Sequence, residues 1–197
     1  HMHGRAIFSS DQDDSPNYIY GFRDRMDERY DCSRAVRDGR YLYIRNLMPH
    51  RAQGQYLDYM YQTPTTTAWL NAFRNGQTTS PQSTFWKLKP AEELYDLFKD
   101  PDQLENLAQL PQHAETKTTF CQALKRWMVQ SRDLGLFHES AINQQTQHSD
   151  ATSIPPFEIG STFRESKIMM VCDAAFEATD LNTSADCRAR LLSSEDE

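Results

Sequence analysis

No segment of the sequence is apolar over the roughly 20 residues that a membrane-spanning helix needs, so we expect no membrane span. The chain also lacks a run of basic residues, because its 21 lysines and arginines are scattered among 28 acidic residues. A formal net charge of −7 argues against general nucleic-acid binding. The first residues lack the apolar core of a signal peptide, which indicates either a cytosolic chain or a missing natural N-terminus.

Cysteine is scarce and widely spaced, with four residues at positions 32, 121, 172 and 187. No Cys-x-x-Cys pair occurs, which argues against a zinc site. Cys121 and Cys172 lie in apolar helical patterns and are expected to be small buried residues. Nothing in the sequence selects a pair of cysteines for a disulfide bond.

The most informative stretch covers residues 89–108 and combines three local patterns. Residues 93–97 alternate polar and apolar side chains, which predicts a half-buried strand. Residues 100–102 read Asp-Pro-Asp, which predicts a turn in which an aspartate accepts hydrogen bonds from backbone N–H groups. Leu104, Leu107 and Ala108 are spaced to share one face of a short helical turn.

A strand and a charged window precede this stretch. Residues 18–22 are aromatic or apolar almost throughout, which suits a strand buried on both faces, such as the last strand of a larger α/β sheet. Residues 23–31 form the most charged window of the chain. Ligands of α/β folds bind at the carboxyl ends of strands, where this window would lie. The alternative is a solvated loop of mutually paired ions.

Two further strands are predicted at residues 32–36 and 41–46, joined by a turn that contains Asp38 and Gly39. Asp-Gly between strand-forming runs is typical of a hairpin turn with positive φ at both central residues. The arginines of this hairpin could line a basic edge, or they could be ordinary solvated edge charges: Arg37, Arg40 and Arg45.

Helical periodicity predicts helices over residues 65–75, 111–134 and 162–178, and a short one that starts at Ser80. Thr66 or Thr67 could cap the first of these. Residues 47–65 form a loop that is unusually rich in tyrosine. We expect this loop to pack on the fold, and stacking on a sugar is the alternative: Tyr56, Tyr59 and Tyr61.

The stretch over residues 90–108 reads PAEELYDLFKDPDQLENLA and resembles the C-terminal signature of the sulfatase family, within the alkaline-phosphatase-like superfamily. Three other segments resemble the family in the same order: GFRDRMDERYD at 21–31, RAVRDGRYLYIRN at 34–46 and RWMVQSRDLG at 126–135. The first of these is similar to a segment of bacterial sulfatases related to heparan N-sulfatase, where it leads from the catalytic domain into the C-terminal subdomain. The resemblance covers about residues 2–139.

The resemblance implies a small antiparallel sheet covered by a C-terminal helix, preceded by one strand of a larger α/β sheet that is absent. The fold class is therefore α+β. We divide the chain into a remnant of the catalytic domain, the sulfatase C-terminal subdomain, a linker, and a helical extension with an acidic tail: residues 1–30, 31–139, 140–161 and 162–197.

A complete sulfatase carries a Cys or Ser in Cys/Ser-x-Pro-x-Arg, which is oxidised to formylglycine, and it binds calcium through several Asp and Asn side chains. This sequence contains neither that motif nor the Asp-rich calcium motifs. We therefore expect no catalytic residue, metal ligand or cofactor in this chain, and no hydrolysis of sulfate esters by it alone. The family implies a periplasmic or secreted location.

Two functions follow from these observations. The chain is the C-terminal part of a hydrolase of sulfate esters or sulfamates, partnered by the rest of the catalytic domain, or it is a non-catalytic module that binds a sulfated glycan or a protein. Without its neighbouring strands, the strand at residues 18–22 would expose an apolar edge, so self-association of the chain is also expected. The expected small ligand is a sulfated saccharide or an aryl sulfate. Its contacts are expected at Arg23 or Arg25, which suit sulfate oxygens, and at Asp27 or Glu28, which suit sugar hydroxyls.

Overall fold

The computed structural model describes residues 18–137, 140 and 165–177. Four strands form one antiparallel sheet in the order β1-β2-β3-β4, with bounds Ile19–Arg23, Ser33–Arg37, Tyr41–Asn46 and Glu92–Asp96. Helices and this sheet make up an α+β fold, as predicted. Most of the predicted linker and all of the acidic tail lie outside the described residues.

Strand β1 does not belong to a second, larger sheet, so this part of the prediction is wrong. It pairs with β2 along its whole length, from Ile19 opposite Arg37 to Arg23 opposite Ser33. Its other edge has no strand partner in the described part of the chain. Ile19 is 64% exposed and Phe22 is 72% exposed, so the strand is not buried on both faces. Division of the chain at residue 30 stays a prediction, although β1 and β2 pair across it.

The hairpin of β2 and β3 is confirmed, with Val36 opposite Tyr43, but its turn differs from the predicted one. Neither Asp38 nor Gly39 has a positive φ. Instead, the Asp38 carboxylate accepts hydrogen bonds from the backbone N–H groups of Arg40 and Tyr41, at 2.7 and 2.6 Å. The aspartate side chain therefore closes the turn, and left-handed backbone is not required.

Within residues 18–137 and 165–177, five α-helices accompany the sheet: α1 Asp58–Tyr61, α2 Pro64–Arg74, α3 Ser80–Thr84, α4 Ala114–Gln130 and α5 Glu165–Glu177. Short 3₁₀ turns at Pro111–His113 and Leu134–Leu136 flank α4. The N-cap residue of α2 is Thr63 rather than the predicted Thr66 or Thr67, and its side chain makes no capping hydrogen bond. Among the described residues, no helix combines the length and hydrophobicity that a membrane crossing needs.

The core lies between one face of the sheet and the two helices α4 and α5. Val36, Tyr43 and Leu94 lie side by side on neighbouring strands and are completely buried. They pack against side chains from both helices: Phe120, Leu124, Met128, Ile168 and Cys172. The predicted helix at residues 111–134 is therefore confirmed in α4, which packs on the sheet, and α5 contributes to the same core.

The segment after β4 is a turn and an extended stretch, not the predicted helical turn. Asp100 accepts hydrogen bonds from the backbone N–H groups of Leu104 and Glu105, which confirms the aspartate turn. Leu104 is 62% exposed, whereas Leu107 is buried. Asn106 explains the extended path, because its side chain bonds the outer edge of β4 at Leu94 N–H and at the Glu92 carbonyl. The hydrogen bonds of Asn106 to the edge of β4 thus determine the conformation here, and the helical spacing of Leu104 and Leu107 does not.

The three arginines of the hairpin have different environments. Arg45 is only 2% exposed, so it is not a solvated edge charge. Its guanidinium donates to the carbonyls of Ala175 and Phe176 at the C-terminal end of α5, where the helix dipole favours a cation. Arg40 pairs with Asp96 and lowers the pKa of that carboxyl. Arg37 is exposed.

Candidate functional site

One end of the sheet gathers the segments that the sequence singled out. Strand β1 ends there at Arg23 and β2 begins at Ser33, while β3 ends at Asn46 and β4 begins at Glu92. The connections over residues 24–32 and 47–91 therefore leave from the same end, which we call the loop end. Tyr18, the first described residue, and the turn at residues 38–40 lie at the opposite end. The topology thus places the charged window beside the tyrosine-rich loop.

The charged window forms a tight turn that presents three of the four predicted site residues. Met26 and Arg29 exchange two backbone hydrogen bonds of 2.9 and 3.0 Å, which leaves Asp27 and Glu28 at the tip. Asp27 has a φ of 52°, a left-handed conformation that aspartate tolerates better than most residues. The side chains of Arg25, Asp27 and Glu28 are exposed at this end of the sheet.

Arg23, the fourth predicted site residue, lies at the base of this turn beside a buried ion pair. The Lys89 ammonium donates to both carboxylate oxygens of Asp31 at 2.5 Å. The Asp31 side chain is 1% exposed and the Lys89 side chain is 6% exposed. Arg23 Nε lies 3.8 Å from the same carboxylate. Arg23 is therefore engaged in holding the turn, whereas Arg25 lies further out.

A second buried ion cluster fixes the other side of the turn, and sequence reasoning missed it. Arg34, 1% exposed, donates two hydrogen bonds to the Asp133 carboxylate, from Nε at 2.5 Å and from Nη2 at 2.8 Å. Its Nη1 donates to Asp24 Oδ1 at 2.9 Å, next to the first residue of the charged turn. Within the charged window Arg23 therefore lies near Asp31, whereas Asp24 pairs with Arg34 outside the window.

The described cysteines are not nucleophiles. Burial raises the pKa of the Cys32 thiol to about 12, and its sulfur lies 3.6 Å from the carbonyl oxygen of Gly135. Burial also raises the pKa of Cys172 to about 12, and it raises the pKa of Cys121. Since the thiolate is the reactive form, these three thiols stay protonated and inert near neutral pH.

The tyrosine-rich loop only partly follows the expectation that it packs on the fold. Leu57 is buried and anchors the loop, but Tyr56 and Tyr59 are each 58% exposed. The Tyr56 and Tyr61 rings lie 5.0 Å apart between centroids. The Tyr56 hydroxyl donates to Asp58, which raises the pKa of Tyr56, with a smaller contribution from the nearby Glu28 carboxylate. The loop therefore presents aromatic rings beside the charged turn.

An aromatic cluster holds this loop in place. Trp69, Phe73, Phe85 and Trp86 contact one another through their rings. Gly54 lies directly against the Trp86 ring, where a Cβ atom would overlap the indole, and its N–H donates to the Phe85 carbonyl at 2.8 Å. Arg51 lies over the Tyr30 ring at 5.7 Å and so connects the loop to the charged turn.

Several buried donor atoms near the loop end have no acceptor among the described residues: Arg29 Nε, Gln55 Nε2 and Trp86 Nε1. By contrast, the Trp69 indole donates to the Gln82 carbonyl. A buried donor without an acceptor costs about 1–3 kcal/mol. The three donors lie in segments that contact the charged turn or the aromatic cluster.

The aspartates near the loop end are paired with basic residues. Across residues 18–137 and 165–177, no three His, Cys, Asp or Glu side chains come together as metal ligands. Asp31, Asp24 and Asp133 are instead neutralised by Lys89 and Arg34.

Comparison with curated proteins finds two sulfatases that share sequence with this chain. No protein-family model matches the chain. An ulvan-active sulfatase from Formosa agariphila is 31% identical over 176 residues, which cover 88% of this chain and 29% of that protein. The chain is related to the sulfatases. A second ulvan-active sulfatase of the same organism is 30% identical over 121 residues, 60% of this chain and 22% of the relative. The chain thus spans less than a third of the length of these sulfatases.

Proposed function

We propose that the chain is the C-terminal part of a sulfatase-type hydrolase of sulfate esters or sulfamates, and that its loop end forms a wall of the substrate pocket. The partial coverage of the relatives carries this proposal, because the chain corresponds to 29% of a sulfatase and lacks Cys/Ser-x-Pro-x-Arg. The remaining polypeptide would supply the formylglycine nucleophile and the calcium site. The exposure of Arg25, Asp27 and Glu28 at the loop end supports its contact with substrate.

Within this pocket wall, Arg25 is the anion contact and the tip of the turn supplies hydrogen-bond acceptors. A guanidinium binds two sulfate or carboxylate oxygens at once, and Arg25 is exposed on a turn that two ion clusters hold. Asp27 and Glu28 would accept hydrogen bonds from sugar hydroxyls. Arg23 would not contact the substrate but would help to position the turn through its ion pair with Asp31. The names of the relatives suggest ulvan as the substrate class.

The second candidate is a non-catalytic module that binds a sulfated glycan or another copy of itself. Exposure of Ile19 and Phe22 on the edge strand β1 favours association of the isolated chain. Both functions share the glycan contact, but only the first requires a catalytic polypeptide.

We expect the isolated chain to release no phenol from an aryl sulfate in the presence of calcium, because the nucleophile lies outside it. Release would be followed spectrophotometrically over hours at high protein concentration. A control with phenol added at known concentration sets the detection limit. Turnover that tracks the protein concentration would mean that the chain holds its own nucleophile, and the proposal would then be wrong.

A further inference from the structure

Two tyrosines near the charged turn are largely exposed. Tyr56 and Tyr59 each leave more than half of the side chain in solvent, whereas the intervening Leu57 is 1% exposed. Two contacts hold the segment: the side chain of Leu57 is buried within it, and the Gly54 N–H before it donates to the Phe85 carbonyl. The exposed rings therefore belong to a segment that is already ordered, so little conformational entropy is lost when a ligand binds to them.

The polar groups around the rings suit a saccharide. A sugar ring offers a C–H face that packs on an aromatic ring and hydroxyls that need acceptors at its rim. Asp58 provides such an acceptor, and its carboxylate is oriented by the Tyr56 hydroxyl at 2.9 Å and by the Gln62 amide at 2.8 Å. Glu28 is close enough to influence Tyr56 electrostatically. An apolar surface with a few placed polar groups is typical of a ligand site.

We infer that Tyr56, Tyr59 and Asp58 form a saccharide-stacking subsite, which binds the sugar unit next to the sulfated one held at Arg25. This inference rests on the proposed function, because it extends the same pocket wall along the loop. It differs from the anion contact in chemistry: the subsite recognises the uncharged sugar ring and not the sulfate group.

The test is a titration of the isolated chain with ulvan oligosaccharides, followed by heteronuclear NMR up to millimolar probe concentration. We expect Tyr56→Ala and Tyr59→Ala each to weaken binding by about 2- to 10-fold, the range for loss of one aromatic contact. Tyr56→Phe keeps the ring and should retain most of the affinity. The matched control is Phe98→Ala, which removes a ring that is 75% exposed beyond the far end of β4.

Desulfated oligosaccharides separate this subsite from the proposed function. The tyrosine variants should weaken binding of both probes, whereas Arg25→Ala should weaken binding of the sulfated probe alone. If the chain binds the sulfated probe and both tyrosine-to-alanine variants bind it equally well, the subsite is wrong and the pocket wall stands. If the wild-type chain binds neither probe, the subsite is wrong and the substrate contact of the proposed function fails with it.

Discussion

Replacing Ile168 by aspartate is expected to lower the free energy of unfolding by about 3–4 kcal/mol, because it places an unpaired charge in the core. Ile168 is completely buried on α5 and packs with residues of the sheet and of α4. A loss of this size is a large part of the roughly 5–15 kcal/mol that stabilises an ordinary domain. Urea unfolding followed by circular dichroism measures it.

The matched control is Met169→Asp, since Met169 follows directly on the same helix and is 48% exposed. We expect its effect to stay within about 0.5 kcal/mol, as for most surface substitutions. Equal and small effects of both variants would contradict the packing of α5 in the core. The helix would then be a separate extension, as the sequence suggested for residues 162–197.

Replacing Arg34 by methionine is expected to cost about 3–5 kcal/mol, because removal of one partner from a buried ion cluster leaves uncompensated charge. Asp133, whose side chain is 10% exposed, would lose both of its hydrogen bonds from Arg34. Asp24 would lose its ion pair, so the charged turn should also become more mobile. Urea unfolding gives the stability, and amide hydrogen exchange of residues 24–31 gives the mobility.

Arg37→Met is the control for this experiment, because Arg37 lies on the same strand and is exposed. We expect a change within about 0.5 kcal/mol for it. Adding Asp133→Leu to Arg34→Met should restore part of the lost stability, since the stranded carboxylate is then removed. An Arg34→Met variant as stable as the wild type would mean that the cluster does not stabilise the fold.

The strands and main helices could be predicted because their signals are local. Alternation identifies β3 and β4, and the spacing of Phe120, Leu124 and Met128 identifies α4. The partner of β1 could not be predicted, since an apolar strand has no alternation to show which face or sheet it joins. Leu104 and Leu107 had helical spacing, but the pairing of Asn106 with β4 depends on distant residues.

In the candidate site, too, local features could be predicted and contacts between distant residues could not. Charge density pointed to residues 23–31, and three of the four named side chains there are exposed at one end of the sheet. The groups that hold the turn were not predictable, because Lys89 is 58 residues from Asp31 and Asp133 is 99 residues from Arg34. Arg45 looked like an edge charge for the same reason, since its partners at Ala175 and Phe176 come from α5.

The most direct test of the pocket wall is the steady-state kinetics of a longer sulfatase that carries this chain as its C-terminal part. Arg25→Ala is expected to raise KM for an ulvan oligosaccharide about 10-fold or more with little change in kcat, because it removes an anion contact made equally in substrate and transition state. Lys99→Ala, an exposed cation beyond the opposite end of β4, should leave both constants unchanged. An unchanged KM in the Arg25 variant would contradict the assignment of the loop end to the substrate pocket.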